Sequence, residues 1–416
     1  MSAKSHVHGI RSRWICPIDR PPIEDGLIGI AGGRIVAVGR AGEVEADSNE
    51  DIGDAILIPG LINAHTHLEL GWCRGLISPR PSWEWFDELI RLNRLPEAGA
   101  NRSRSIAHGA AESLAAGVTC VADISRTGAS AEILRGTPIR SRCYVELISE
   151  AATLPNSAAT LETRLSGLLP ADGTRFQLGI SPHAPYSVSE ADLSGCAEVA
   201  ARLDLPLMMH LLETTEERDW YGQGGGAVDD YLTRHNLKRS KTNAPQDAIE
   251  LLAQTGILAR APLLAHVNYV SDDQIRRIRE AGASVVWCPR THDYFGHETH
   301  RWCDMIAAGI NVCFGTDSLA SAPSLSIIEE LRHVARSSPG TSASTLLECA
   351  TIRAAVALQL DSVIGSLSIG KDADMSSFQW TADGDAEPAK NQIHSGKSVE
   401  KIWIRGESIH QTLPQD

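Results

Sequence analysis

The sequence predicts an α/β protein, a (β/α)8 barrel of the TIM type with a small β-sandwich domain formed by the N- and C-terminal segments. Three observations carry this. From residue 56 to about 320, eight short apolar runs alternate with helical stretches, which implies a closed parallel barrel. Both ends of the chain instead carry short strand-like runs with glycine turns. The rival open, doubly wound sheet would need a Gly-rich dinucleotide fingerprint after its first strand, and none is present.

Residues 1–58 include "GLIGIAGGRIVAVG", which reads as strand, Gly-Gly turn, strand, and form the N-terminal part of the small β-domain. Residues 59–365 are the barrel. Its runs, the first beginning just ahead of that boundary, are "ILIPGLINAH", "GVTCVADI", "SRCYVELIS", "FQLGISPHAP", "LPLMMHLLE", "PLLAHVNYV", "ASVVWCPR" and "INVCFGTDS". Helical stretches such as "SIAHGAAESLAAG" and "SDDQIRRIREAG" fall between them and end on glycine. Residues 150–175, rich in Ala, Ser, Thr and Pro, read as a loop and a short helix. Residues 366–416, with "GSLSIGKDADMSSFQW" and "VEKIWIRGESI", complete the small β-domain.

With 416 residues, 43% hydrophobic and 22% charged, the composition is that of an ordinary globular protein. No apolar run approaches the roughly 18 to 20 residues of a membrane span, and the N-terminus lacks an export signal, so a cytoplasmic protein without a membrane partner is expected. Nine cysteines without a C-x-x-C pair suit reduced, buried thiols. A formal charge of −14 leaves no basic footprint for nucleic acid and favours a small neutral or cationic substrate.

The stretch "PGLINAHTHLEL" sets His65 and His67 two residues apart at a strand end, so both imidazoles share one face. His6 and His8 repeat the spacing in a polar N-terminus with no strand before them, and no metal is expected there. Barrels of this type place their chemistry at the C-terminal strand ends. The ionisable residues at those ends are His65, His67, His183, His210, Glu213, His266 and Asp317. Each alone has a structural alternative: Asp317 as a helix N-cap, Glu213 with Glu216 and Glu217 complementing a helix N-terminus, His183 as a turn histidine. Together they read as a site.

Three imidazoles and a carboxylate, His65, His67, His210 and Asp317, suit one divalent ion, Zn²⁺ first, with Fe²⁺ or Mn²⁺ open. Such an ion lowers the pKa of a bound water toward about 7, giving a hydroxide nucleophile. His266 is placed to orient or deprotonate it, and Glu213, three residues past His210, to carry its proton.

In order along the chain, "PGLINAHTHLEL", "SPHAPYSV", "HLLETTEE", "LLAHVNYVSDDQI", "CPRTHDYFGH" and "GTDSLAS" resemble the amidohydrolase superfamily, in its branch of mononuclear-metal deaminases and chlorohydrolases. The likeness is to methylthioadenosine and S-adenosylhomocysteine deaminases. It implies the same metal ligands, the same roles for His266 and Glu213 with Asp317 beside them, and His183 on the substrate ring or sugar. It also implies pairing into homo-oligomers. The carbamylated lysine of binuclear members is absent from "FQLGISPHAP", which favours one ion. The activity implied is hydrolytic removal of the exocyclic amine of a purine-like heterocycle or nucleoside, such as an adenosine analogue or 6-aminodeoxyfutalosine. The alternatives are triazine chlorohydrolase or aminohydrolase chemistry, and a non-catalytic metal-binding homologue.

Glu146 stands about where a tail-binding arginine is expected, which disfavours an acidic-tailed substrate. Trp83, Trp85 and Phe86 could stack on a flat ring, although 83, 86 and 90 also form a helical core stripe. His292, in "THDYFGH", could shape specificity or sit in an aromatic plug, and Glu69 could reach the pocket or face solvent.

Overall fold

The computed structural model describes residues 6–149, 158–168, 175–237, 247–381, 387–395 and 397–409. The chain opens with β1 (His8–Ile15), β2 (Ile23–Ala31), β3 (Arg34–Arg40), β4 (Ser48–Asp51) and β5 (Ala55–Pro59). The first apolar run then divides at Gly60. Its front half, β5, pairs with β1; its back half, β6 (Leu61–Thr66), is the first barrel strand. A Cβ on Gly60 would stand 2.0 Å from Thr119 Oγ1, so only glycine lets the chain pass so close to its neighbouring strand.

The barrel continues with β7 (Val118–Ser125), β8 (Arg140–Leu147), β9 (Phe176–Pro182), β10 (Met208–Leu211), β11 (Leu263–His266), β12 (Ser284–Trp287) and β13 (Asn311–Phe314). Strands β6 to β9 form one parallel ladder and β10 to β13 another. A bridge between Ile180 and Leu207 joins the ladders on one side. On the other, the amides of Thr316 and Asp317 each donate to His65 O at 3.1 Å. The closure of the barrel therefore runs through the H-x-H motif itself. Small and large side chains alternate inside, Ala64, Cys120 and Ala122 against Ile62, Tyr144 and Met208, and Ala354 and Ala355 pack against them. Those alanines belong to the helix Ile352–Ala357, which contacts β6 and β13 and plugs the end of the barrel where its strands begin.

Strands β14 (Met375–Gln379), β15 (Val399–Ile404) and β16 (Glu407–Ser408) return to the opening strands. The result is an eight-stranded sheet ordered β16-β15-β14-β5-β1-β2-β3, with β4 beside β1. Its joint with the barrel is ionic. Arg140, at the start of β8, holds Asp372 at 2.6 Å and Asp374 at 2.9 Å, and Asp374 also accepts from the Arg405 amide at 2.8 Å.

Residues 158–168 of the expected loop and short helix are helical; residues 150–157 and 169–174 lie outside the described residues, as do residues 410–416 at the C-terminus. Eight of the nine cysteines are buried and Cys303 is exposed. Among the described residues, no helix is long and apolar enough to cross a membrane.

Candidate active site

His65 and His67 leave β6 on one face, as their two-residue spacing requires. His65 is fully buried with Nδ1 against Met208 Sδ at 3.4 Å, and its Nε2 has no hydrogen-bond partner. Asp317 Oδ1 lies 3.8 Å from that Nε2 and 3.6 Å from His67 Nε2. His210, near the end of β10, donates through Nδ1 to His183 O at 2.9 Å, which leaves the Nε2 lone pair facing His67 Nε2 at 3.2 Å. Ligand atoms of His65, His67 and Asp317 fall within 4.8 Å of one another, as do those of His65, His210 and His266. Buried nitrogen lone pairs converging with a carboxylate and without donors of their own are the donor set of a divalent cation, so the residues present fit one.

The backbone is bent to achieve this. Leu212, His266, Val267 and Asp317 all have left-handed φ, between 51° and 70°, just past the ends of β10, β11 and β13. Side-chain-bearing residues rarely adopt that region, and such strain gathers at sites. Gly315 supplies the clearance. A Cβ there would come within 2.9 Å of the His65 backbone nitrogen, oxygen and Cβ.

Glu213 is held from behind. The Glu217 carboxylate accepts from the amides of Leu212 at 2.9 Å and Glu213 at 2.8 Å, and Asn268 Nδ2 donates to Glu213 O at 2.9 Å. The Glu213 carboxylate is thereby presented 3.8 Å from His266 Nε2. Burial, then the charges of Asp317 and Glu217, push its pKa well above the usual carboxylate range. Burial likewise raises Asp317 to about 7 and Glu217 to about 7, and lowers His210 to about 4. Neutral imidazoles suit metal binding, and a carboxylate of raised proton affinity suits taking up and returning a proton.

The site opens into a cavity of about 500 Å³. His67, His183, His210, Glu213, His266 and Asp317 all reach it. His183 hydrogen-bonds through Nδ1 to Ser187 Oγ at 2.6 Å and stands with its ring 4.9 Å from that of His210.

Two expected substrate contacts are corrected. Trp83 does not line the cavity: it is buried behind the wall among Phe86, Tyr186 and Tyr231, the core side of its helical stripe. Trp85, Phe86 and Ile90 of the same helix, Ser82–Asn93, face the cavity instead. His292 is buried as well, with Nε2 donating to Glu298 O at 2.7 Å and Nδ1 lying 3.2 Å from Asn268 Oδ1. With its proton on Nε2, its Nδ1 and Asn268 Oδ1 are both acceptors, so it packs beside the asparagine that holds Glu213 and does not line the cavity. Glu69 does line the cavity, though its Oε1 is taken up by the hydroxyls of Ser125 and Thr127. Arg94, Arg102 and Arg126 also line it beside Glu69, Glu146, Glu213 and Asp317, so the wall a substrate meets carries both signs of charge. His6 and His8 meet at the Ser48 hydroxyl, at 2.9 and 3.1 Å, with Asp47 3.7 Å from His6 and Glu50 4.0 Å from His8, far along the chain from these groups.

The sequence does not single out Glu217 and Asn268, the two residues that hold the Glu213 backbone. The signal for Glu217 was present in "TTEE": Thr214 caps the helix Thr215–Gln223 by accepting from Glu217 N, the T-x-x-E pattern of a capping box. What the pattern does not reveal is that this glutamate turns back to the Leu212 and Glu213 amides.

A profile of the amidohydrolase family matches residues 56–409. The chain belongs to the amidohydrolase family. It is 28% identical to the 5-methylthioadenosine/S-adenosylhomocysteine deaminase of Moorella thermoacetica, over 88% of this chain and 84% of that one. Among solved structures it resembles the aminofutalosine deaminase of Helicobacter pylori, at 22% identity and TM-score 0.85, covering 97% of this amidohydrolase and all of that chain. It also resembles an adenosine deaminase from Xanthomonas campestris with bound zinc, at 24% identity and TM-score 0.82, covering 97% and 92% of the two chains.

Proposed function

We propose that this amidohydrolase is a hydrolytic deaminase that removes the exocyclic amine of a purine-like heterocycle or nucleoside. The observation that carries the reading is Glu213: a buried carboxyl, held by Glu217 and Asn268, presented to the cavity beside a histidine and aspartate cluster with cation-binding chemistry. Holding a metal requires no such group; moving a proton does. The deaminase relatives support the same reading, with 5-methylthioadenosine-like nucleosides as the substrate class.

His65, His67, His210 and Asp317 would hold one divalent ion, zinc by preference for this donor set. When bound, that ion supplies Lewis acidity and lowers the pKa of a water near it. Glu213 takes a proton from the attacking water and delivers it to the ring nitrogen beside the amine-bearing carbon. It then takes the remaining proton of the newly formed hydroxyl and passes it to the departing amine as the C–N bond breaks, so that water and amine become a ring carbonyl and ammonia. His266, with Nε2 3.8 Å from Glu213 Oε1, orients that exchange. His183 borders the ring, and Trp85 and Phe86 close over it to exclude bulk water. The working location is the cytoplasm, with a small molecule as the partner.

Release of ammonia from a panel of aminated nucleosides, with metal content measured on the same sample, tests this. Chloride or alkylamine release from triazines without deamination of any nucleoside would replace the reading.

A further inference from the structure

Beside the metal-binding cluster stands a second convergence. A carboxylate oxygen of Glu146, at the end of β8, a ring nitrogen of His183 and a ring nitrogen of His210 lie within 4.8 Å of one another. Three points so spaced leave a centre no more than about 2.8 Å from each, which is hydrogen-bond distance. Glu146 is only 6% exposed and lines the cavity; its backbone oxygen accepts from Arg164, but its carboxylate accepts no hydrogen bond among the described residues. Buried polar groups are almost always satisfied, so a carboxylate left open toward a cavity points to a ligand.

The hydrogen-bond network says what the ligand must offer. The Ser187 hydroxyl donates to Ala184 O at 3.1 Å, so it receives from His183 Nδ1, and His183 Nε2 carries a lone pair. Glu146 and His183 are then two acceptors with no described hydrogen bond between them, and the Arg126 guanidinium, which lines the same cavity, sets a positive charge near both. Their guest must bring two hydrogens. Because His210 belongs to both clusters, that guest lies one side chain from the reacting centre, on the substrate ring or its first substituent rather than on a remote tail.

We propose that Glu146 and His183 form a specificity-determining pair that receives a two-hydrogen donor on the substrate, either a ring amino group or the adjoining hydroxyls of an attached sugar. The proposal rests on the deaminase reading for its substrate class. Equilibrium binding tests it by calorimetry, with zinc-loaded protein carrying Glu213→Gln to prevent turnover. The probes are adenosine with its 2′-deoxy and 3′-deoxy forms for the sugar source, and 2-aminopurine riboside with purine riboside for the amino source.

Adding Glu146→Ala should weaken binding of the donor-bearing member of one pair roughly 10- to 100-fold and leave the donor-lacking member within about threefold. In the Glu213-intact enzyme, Glu146→Ala should raise KM more than it lowers kcat. Equal weakening of every probe, or none, overturns the pair. So does a count of two zinc ions per chain that falls to one on Glu146→Ala, which would make this a second cation site. Glu146-dependent binding without ammonia release from the parent protein would remove the deaminase reading and keep the pair; turnover indifferent to Glu146 would do the reverse. Failure of all probes to bind removes both.

Discussion

Buried charges serve the joint and the rim of this molecule in opposite ways. At the joint between barrel and terminal sheet, the Arg140 guanidinium meets Asp372 and Asp374, and Asp374 also takes a backbone amide. At the barrel rim, among the described residues, His65 Nε2 has no hydrogen-bond partner, the Glu146 carboxylate accepts no hydrogen bond, and Glu213 has His266 Nε2 at 3.8 Å as its ionic neighbour. Both regions bear the expense of desolvation. Only the joint recovers it within the protein; the rim leaves its valences open for something that arrives later. Completeness of pairing, more than burial, therefore separates architecture from chemistry in this fold.

The comparison breaks most readily at the metal cluster. Asp317→Ala or His210→Ala should abolish metal retention and reduce turnover to background, as read by elemental analysis and ammonia release. Two ions per parent chain would contradict the single centre. Next in size, Glu213→Gln should lower kcat by roughly 10² to 10⁴ with metal content and fold intact. Turnover near the parent value would move the proton to the His266 and Asp317 pair.

At the joint the signature should invert. Arg140→Met removes the cation of Asp374 and the nearest cation of Asp372, which keeps only Arg34 at 3.8 Å and Arg405 at 3.9 Å among the described residues, and should destabilise the fold by about 3 to 5 kcal/mol in urea unfolding, with metal content of the folded fraction unchanged. A loss of metal at equal stability would show that the two regions are not separable. A smaller effect lies between them. Glu217→Gln keeps one acceptor oxygen for the Leu212 and Glu213 amides and should reduce kcat roughly 10-fold, toward the lower end of what supporting groups contribute. The least effect is expected at the terminal sheet's surface, where His6→Ala with His8→Ala should leave metal content unaltered.

What could be read from residues alone follows the same division. His65, His67, His210 and Asp317 were legible because a strand's period of two and the strand-end rule fix where they point. Trp83 was not: a helix face is set by 3.6-residue periodicity, and neighbours such as Trp83 and Trp85 differ by which wall packs against them, which only the fold decides. His292 was misplaced for a related reason, since a histidine in an aromatic loop carries no sign of whether it faces a cavity or packs beside Asn268. The division of the first run at Gly60 was hidden because β5 and β6 are both wholly buried and read as one apolar stretch. The arginines lining the cavity were masked by a whole-chain charge that averages over every surface.

The hydrogen bond from His210 Nδ1 to His183 O has a thermodynamic consequence. It makes one residue's carbonyl the support of a proposed metal ligand while the same residue's ring borders the cavity. Whatever occupies the cavity and shifts the end of β9 changes how firmly the ion is held, and linkage requires the ion to change the occupant's affinity by the same factor. Chelator resistance measured with and without a bound nucleoside would thus report substrate affinity, and a ligand that tightens the ion needs no contact with it.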